Sequence, residues 1–400
     1  MFPLIRKPFF ICMAIFLMIE GVLFTYLHLT GQPLMRITPD GQLYFNIAEN
    51  MVHGNGMINN VRKEDIIVPP LFSLILVPFA ALGSEKAFMV FQYILYGANG
   101  VFLYVLAQRL FGRPAIGLIC AGLYAIHPVL LLNGPQYLLT ETLFVTFILA
   151  VTYASLRFLK DSQKTKWLFL LVLALSLSLL FRPHLLYVFP LVGIIWLIFW
   201  RQKQVAFRSV LVFLVPVSLL GANGWHNYSL HGEFVLLENY SGQNLYIANN
   251  PDTKAAFYAS TLIDQFVEPD YFTYADVSLS EKSKLLKKRA IHYILSHPIE
   301  TIERCLLKAG LFFKGIHPID WATLAASLCG IILSFRKEKQ LRPILMYVLL
   351  FILGFAALTS AGLLVGGQRY RAPIIPIYLL FASYAIYTLL LPLVPSRKRP

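Results

Sequence analysis

Charge is scarce in this chain, and acid is the scarcer sign. Lys, Arg, Asp and Glu make up 14% of the 400 residues, with 20 acids against 34 bases. An ordinary soluble domain carries about 25%, so that class is excluded. Cysteine is sparse as well. Of Cys12, Cys120, Cys305 and Cys329, only Cys305 falls clearly outside an apolar run, which leaves no disulfide framework. The four show no metal-ligand spacing either. No glycine-rich phosphate loop is present, so a soluble nucleotide has no visible site. No basic-aromatic module accompanies the net charge of +14, which therefore does not point to nucleic acid.

What the chain has is long apolar runs. Hydrophobic residues reach 58% and mean hydropathy is +0.65. Ten runs read as membrane-spanning helices, each of which needs about 20 residues. They cover 8–29, 86–110, 114–131, 138–158, 166–181, 184–200, 207–224, 319–335, 342–364 and 372–394, the third and eighth being short. No small-residue cleavage site follows the first, so a cleaved signal peptide is not expected. The fold class is all-α and polytopic.

The bases then orient the spans. With ten crossings, Arg6-Lys7, Arg109 and Arg113, Arg157 to Lys166, Arg201 to Arg208, Arg336 to Arg342 and Arg397 to Arg399 fall on one side. That side holds 18 Lys and Arg against only Asp161 and Glu338. The positive-inside rule makes it cytoplasmic, with both termini there. Almost every acid is thereby sent outward, to the external segments 30–85 and 225–318. Three units follow: an N-terminal transmembrane module 1–224 holding the first external loop, an external region 225–318, and C-terminal transmembrane helices 319–400.

The first external loop has its own structure. Asp40, Tyr44 and Ala48 recur at four-residue spacing and share one face of a short helix. Gly54 and Gly56 end it, and Pro69-Pro70 opens a second amphipathic piece, 71–82. Pieces this short lie at an interface more often than they span. Asp40 stands where a lipid-borne and a water-borne substrate can meet, although Asp before a helix is also a favoured N-cap. Glu141 begins the fourth span, where the helix macrodipole stabilises a carboxylate and where an ionisable group in a bundle is often functional. Glu20 lies mid-span, either paired or protonated. The second external segment mixes amides with aromatics, including Asn227, Tyr228 and Asn244. Such residues suit sugar hydroxyls and sugar faces, and they equally suit a loop resting on lipid headgroups. The basic run Lys282 to Arg289 reads as a solvated or phosphate-facing surface.

Taken together, these pieces resemble the bacterial membrane glycosyltransferases of the C superfamily. The likeness is to the family-39-like enzymes related to protein O-mannosyltransferases and the lipid A aminoarabinose transferase. The matching residues run along nearly the whole chain. They are Asp40-Gly41-x-x-Tyr44 with Gly54-x-Gly56, Pro69-Pro70-Leu71, Leu139-Thr140-Glu141-Thr142, Phe181-Arg182-Pro183, Asn227-Tyr228, Gly242-x-Asn244-Leu245, and Arg369-Tyr370-Arg371-Ala372-Pro373. The resemblance implies a C-type fold with external juxtamembrane helices. It also implies transfer of a hexose or pentose from a polyprenyl-phosphate donor to an external glycan, lipid or protein acceptor. Asp40 matches the family's first-loop acid and would be the base, with Glu141 as a second acid. Arg369, Arg371 and Arg182 would hold the leaving phosphate, with Arg36 a weaker candidate, and Tyr44, Asn227, Tyr228 and Asn244 would contact substrate. No cofactor is expected. Some members of the superfamily use a divalent metal, but no acidic pair in the first loop indicates one, and Glu64-Asp65 reads as a solvated turn. Many relatives carry Arg before Pro-Pro-Leu, where this chain has Val68. The competing class is a transporter or flippase of lipid-linked sugars, which would use the same aromatics and arginines without chemistry. Transporters often show internal repeats, and none is visible here.

Overall fold

The computed structural model describes residues 3–33, 35–62, 65–161, 163–183, 193, 203–251, 277–315, 317–363 and 368–390. Fifteen α-helices lie among them. They are α1 (Pro3–Leu29), α2 (Pro39–Val52), α3 (Pro70–Ala81), α4 (Glu85–Phe111), α5 (Pro114–Ile126), α6 (Pro128–Asn133), α7 (Glu141–Lys160), α8 (Thr165–Phe181), α9 (Lys203–His231), α10 (Ser241–Ala248), α11 (Leu279–Ser296), α12 (Pro298–Phe313), α13 (Pro318–Lys337), α14 (Arg342–Gly362) and α15 (Ile375–Leu390). Proline starts many of them, because its missing N–H is unbonded in a first turn anyway. Among the described residues there is no β-strand, only an isolated bridge between Arg36 and Tyr137.

Six helical stretches are long and apolar enough to cross a bilayer: α4, α7, Val210–His231 of α9, α13, Lys339–Gly362 and Ala372–Leu390. Met13–Leu29, Pro114–Ile126 and Thr165–Phe181 are apolar but shorter. The expected span 184–200 lies outside the described residues apart from residue 193. The short run 114–131 is broken: α5 ends at Ile126 and α6 starts at Pro128, as a proline mid-run requires. The other short run, 319–335, is a full 20-residue helix. α2 and α3 match the two expected pieces of the first loop.

The core centres on α15, which is buried from Ile375 to Ala385 and packs on α13, α5, α4, α7 and α14. Between such apolar helices hydrophobicity supplies no partner choice in lipid, so polar bonds help to fix the packing. Ser327 donates to the Tyr378 carbonyl at 2.9 Å, Tyr347 to Ser155 at 2.8 Å and Asn99 to the Thr142 carbonyl at 3.0 Å.

Two sets of contacts carry this scaffold to the segments 30–85 and 225–251. Arg36 N–H donates to the Gln136 carbonyl at 2.8 Å and Leu138 N–H to the Arg36 carbonyl at 3.2 Å, tying the segment before α2 to the segment before α7. Gln92 of α4 fixes the same crossing by donating to the Tyr137 carbonyl at 2.7 Å. Gly41 lets α2 close on it, since a Cβ there would lie 2.5 Å from the Leu138 carbonyl oxygen. On the other side Asn239 clamps the first loop to the second. It accepts from Ile67 N–H at 3.0 Å and donates to the Asp65 carbonyl at 2.8 Å.

Candidate active site

Helix α2 is capped by Thr38, whose hydroxyl accepts from Gly41 N–H at 3.0 Å. Asp40 is therefore not the cap, and its carboxylate faces two guanidiniums instead. Oδ2 lies 3.2 Å from Nη1 of Arg369, and Oδ1 lies 3.5 Å from Nη2 of Arg62. Arg369, in the turn Gln368–Tyr370, also places Nε 2.5 Å from Oε1 of Glu141. The same Glu141 oxygen is 3.1 Å from Nη2 of Arg182, which follows directly after α8. Four residues distant in sequence thus meet on one fork, Asp40–Arg369–Glu141–Arg182.

Burial grades this group. The Glu141 side chain is 2% exposed and that of Asp40 48% exposed. Glu141 is the enclosed anchor, and Asp40 is the carboxylate an incoming molecule can touch. Glu141 above all, and then Asp40, raise the Arg369 guanidinium above its ordinary value against the opposing effect of burial. Three guanidiniums (Arg62, Arg182, Arg369) against two carboxylates (Asp40, Glu141) leave one positive charge in excess, which favours a further anion.

Tyr44 lies one turn along from Asp40 and belongs to this group. Its ring packs edge-on against Phe72 with centroids 4.9 Å apart. Burial, followed by the Asp40 charge, pushes its phenol up to about 12. Tyr240 packs beside it in the small core formed by Leu43, Ile47, Ile66 and Val68, and its hydroxyl donates to Glu238. Burial pushes the Glu238 carboxyl up to about 7, with Tyr240 and then Arg182 pulling it down.

The other expected residues lie elsewhere, for visible reasons. Arg371, expected as a phosphate ligand, is two residues from Arg369 but stands apart from the fork. Its guanidinium is buried, pairs with Asp320 and donates to the carbonyls of Phe313 at 3.0 Å and Lys314 at 3.2 Å. His127 reaches the same carboxylate, with Nε2 3.5 Å from Oδ1 of Asp320. Asn227, expected to contact substrate, donates its amide to the Val235 carbonyl at 2.6 Å and closes the turn after α9. Tyr228 is exposed beside Trp225, with centroids 5.9 Å apart. Asn244 is half-buried in α10. Arg36 reaches Gln32 at 2.8 Å and the Tyr137 hydroxyl at 3.3 Å, on the side of its bridge. Glu64 lies outside the described residues.

Sequence reasoning missed Arg62, Glu238 and Tyr240. Arg62 stands in a basic-acidic run that reads as solvated, and Glu238 in a run of amides and aromatics. The one available signal was Val68: a missing arginine asks for a guanidinium from nearby in the loop, and Arg62 is six residues before it. A divalent ion bridging Asp40 and Glu141 does not fit this arrangement, because Arg369 holds the place between them.

The sequence model of the dolichyl-phosphate-mannose-protein mannosyltransferase family matches residues 68–222, a stretch that includes Glu141 and Arg182. The matched stretch is less than half of the chain. Among solved structures, the chain is similar to the archaeal oligosaccharyltransferase AglB from Archaeoglobus fulgidus, solved in complex with an inhibitory peptide and a dolichol-phosphate. The two are 12% identical with a TM-score of 0.47, over 90% of this chain and 48% of that one. The chain thus spans about half the length of that protein. Compared with curated protein sequences, it has no match.

Proposed function

We propose that the protein transfers a sugar from a polyprenyl-phosphate donor to an acceptor hydroxyl or amine on the external face of a bacterial inner membrane. The observation that carries this reading is the convergence of an accessible carboxylate, Asp40, with Arg369 and Arg62, and of Arg182 on the Glu141 that holds Arg369. Sugar transfer needs both halves: a base for the nucleophile and fixed positive charge for a leaving phosphate. The acceptor oxygen or nitrogen attacks the anomeric carbon as its proton passes to Asp40. The bond from that carbon to the phosphate oxygen breaks, and the electron pair leaves with the polyprenyl phosphate. Arg369 changes partner in this scheme: its Nη1 turns from Asp40 to the phosphate, freeing Asp40 to accept a proton. Arg62 takes the part of the arginine absent at Val68. Glu141 holds Arg369 and Arg182 in place. A single displacement of this kind inverts the anomeric configuration. The positive-inside bias supports the external side and cytoplasmic termini.

The test is release of polyprenyl phosphate from a synthetic polyprenyl-phosphate sugar by purified protein. Asp40→Asn is expected to lower the rate by a factor on the order of 10²–10⁴. A folded Asp40→Asn protein with unchanged rate removes Asp40 as base. Retained anomeric configuration refutes single displacement. Movement of intact donor across vesicles, with no phosphate released, makes the protein a flippase.

A further inference from the structure

Helix α12 has an outer face that no other part of the described protein covers. Ile299 is 74% exposed and Leu306 68%, with Ile302 between them and Leu307 alongside. The spacing 299, 302, 306 puts these residues in one stripe. The inner face is fully engaged. Arg304 donates to the Asn250 carbonyl at 2.7 Å, Lys308 is buried with Nζ 3.2 Å from the Ala248 carbonyl, and Phe312 is buried against Phe313 and Phe355.

This helix does not cross a bilayer. Its 16 residues reach about 24 Å at 1.5 Å each, short of a ~30 Å hydrocarbon core, and they include Glu300, Glu303, Arg304 and Lys308. Yet it runs into lipid-facing surface. Residues 314–317 alone separate it from α13, a membrane-crossing helix whose Ile319, Trp321, Leu328 and Ile332 are exposed. The apolar stripe is thus joined through a four-residue link to a helix with its own exposed apolar side chains.

Helix α11 adds charge to it. Lys284, Lys288, Ile291 and Leu295 are all exposed and share one face at spacings of four, three and four. The apolar pair is at the end next to α12, and Lys288 stands seven residues, about 10 Å, back from Leu295. That exceeds the roughly 5–8 Å depth of the headgroup region, so Lys288 reaches the phosphates from the water side. Lys287 and Arg289 are exposed beside them.

We propose that α11 and α12 form a lipid-binding platform. α12 lies in the membrane plane with Ile299, Ile302 and Leu306 among the upper acyl chains, and Lys284 and Lys288 hold the phosphates of anionic headgroups. An amphipathic helix with a basic companion is the form such binding takes. The platform is on the same membrane face as the candidate active site, because the Phe313 and Lys314 carbonyls at the end of α12 receive Arg371, two residues from Arg369.

The experiment uses the full-length protein in nanodiscs. Leu306→Trp adds an indole at an exposed position, and its fluorescence is read as the difference from wild type. Lipids brominated near the headgroup end of the acyl chain should quench it more than lipids brominated near the chain tip. Stronger quenching from the tip would mean that α12 crosses the bilayer. No quenching by either would mean that water or a second copy of this chain covers the stripe. Either result overturns the proposal. Separately, Lys284→Gln and Lys288→Gln should each weaken the retention of phosphatidylglycerol over phosphatidylcholine by about fivefold, read by native mass spectrometry. Unchanged preference in the double variant would remove the headgroup site.

Discussion

The guanidinium of Arg371 is enclosed by Asp320 and two backbone carbonyls, whereas the Arg369 side chain is 34% exposed. The two should therefore fail differently when their partners are removed. Asp320→Asn leaves a buried charge without its counter-ion and is expected to destabilise the protein by about 3–5 kcal/mol, read as a lowered melting temperature in detergent. Arg369→Lys keeps the charge but loses the fork that reaches Asp40 and Glu141 at once. It should leave the melting temperature close to wild type and cut transfer sharply. Glu238 gives the pH signature. Its folded value, about 7, lies above the ordinary 4.5, so its contribution to stability is complete below 4.5 and is lost as pH rises through 7. Glu238→Gln should flatten that part of the curve between pH 5 and pH 8 in thermal melts. An unchanged slope would assign the trend to other groups. At this scale the sequence separates some residues and not others. Asp40, Glu141, Arg182 and Arg369 are legible because each sits at a helix boundary. Arg369 and Arg371 look alike in sequence, and what divides them is Asp320, which is 51 residues away from Arg371. Long-range pairing of that kind leaves no local mark.

At the scale of elements, the site depends on how closely α2 approaches the segment before α7. Gly41 sets that distance. Gly41→Ala places a methyl carbon 2.5 Å from the Leu138 carbonyl oxygen, so α2 must back away. Overpacking of this kind costs about 1–3 kcal/mol, and it moves Asp40 with the helix. Transfer activity should fall further than stability does; equal losses would make Gly41 a packing residue only. The helices themselves were readable from hydropathy and proline placement, because each is a local pattern. The break at His127-Pro128 was readable in principle from Pro128, but the continuous apolar run masked it. The clamp by Asn239 was not readable, since any of the amides in the second external segment could have made it.

For the whole molecule, the arrangement of spans makes one prediction that needs no substrate. Val61 is exposed in the first loop and Gln163 between α7 and α8. Val61→Cys should react with a membrane-impermeant maleimide in intact cells, and Gln163→Cys only after permeabilisation. The reverse result would turn the site to the cytoplasm. Composition made the polytopic class legible, because 58% hydrophobic residues leave few other ways to satisfy the chain.

The backbone stitch between Arg36 and residues 136–138 has a mechanical consequence. Asp40 and Glu141 are borne by segments joined through it, so the spacing of the two acids is set by the backbone before any side chain is placed.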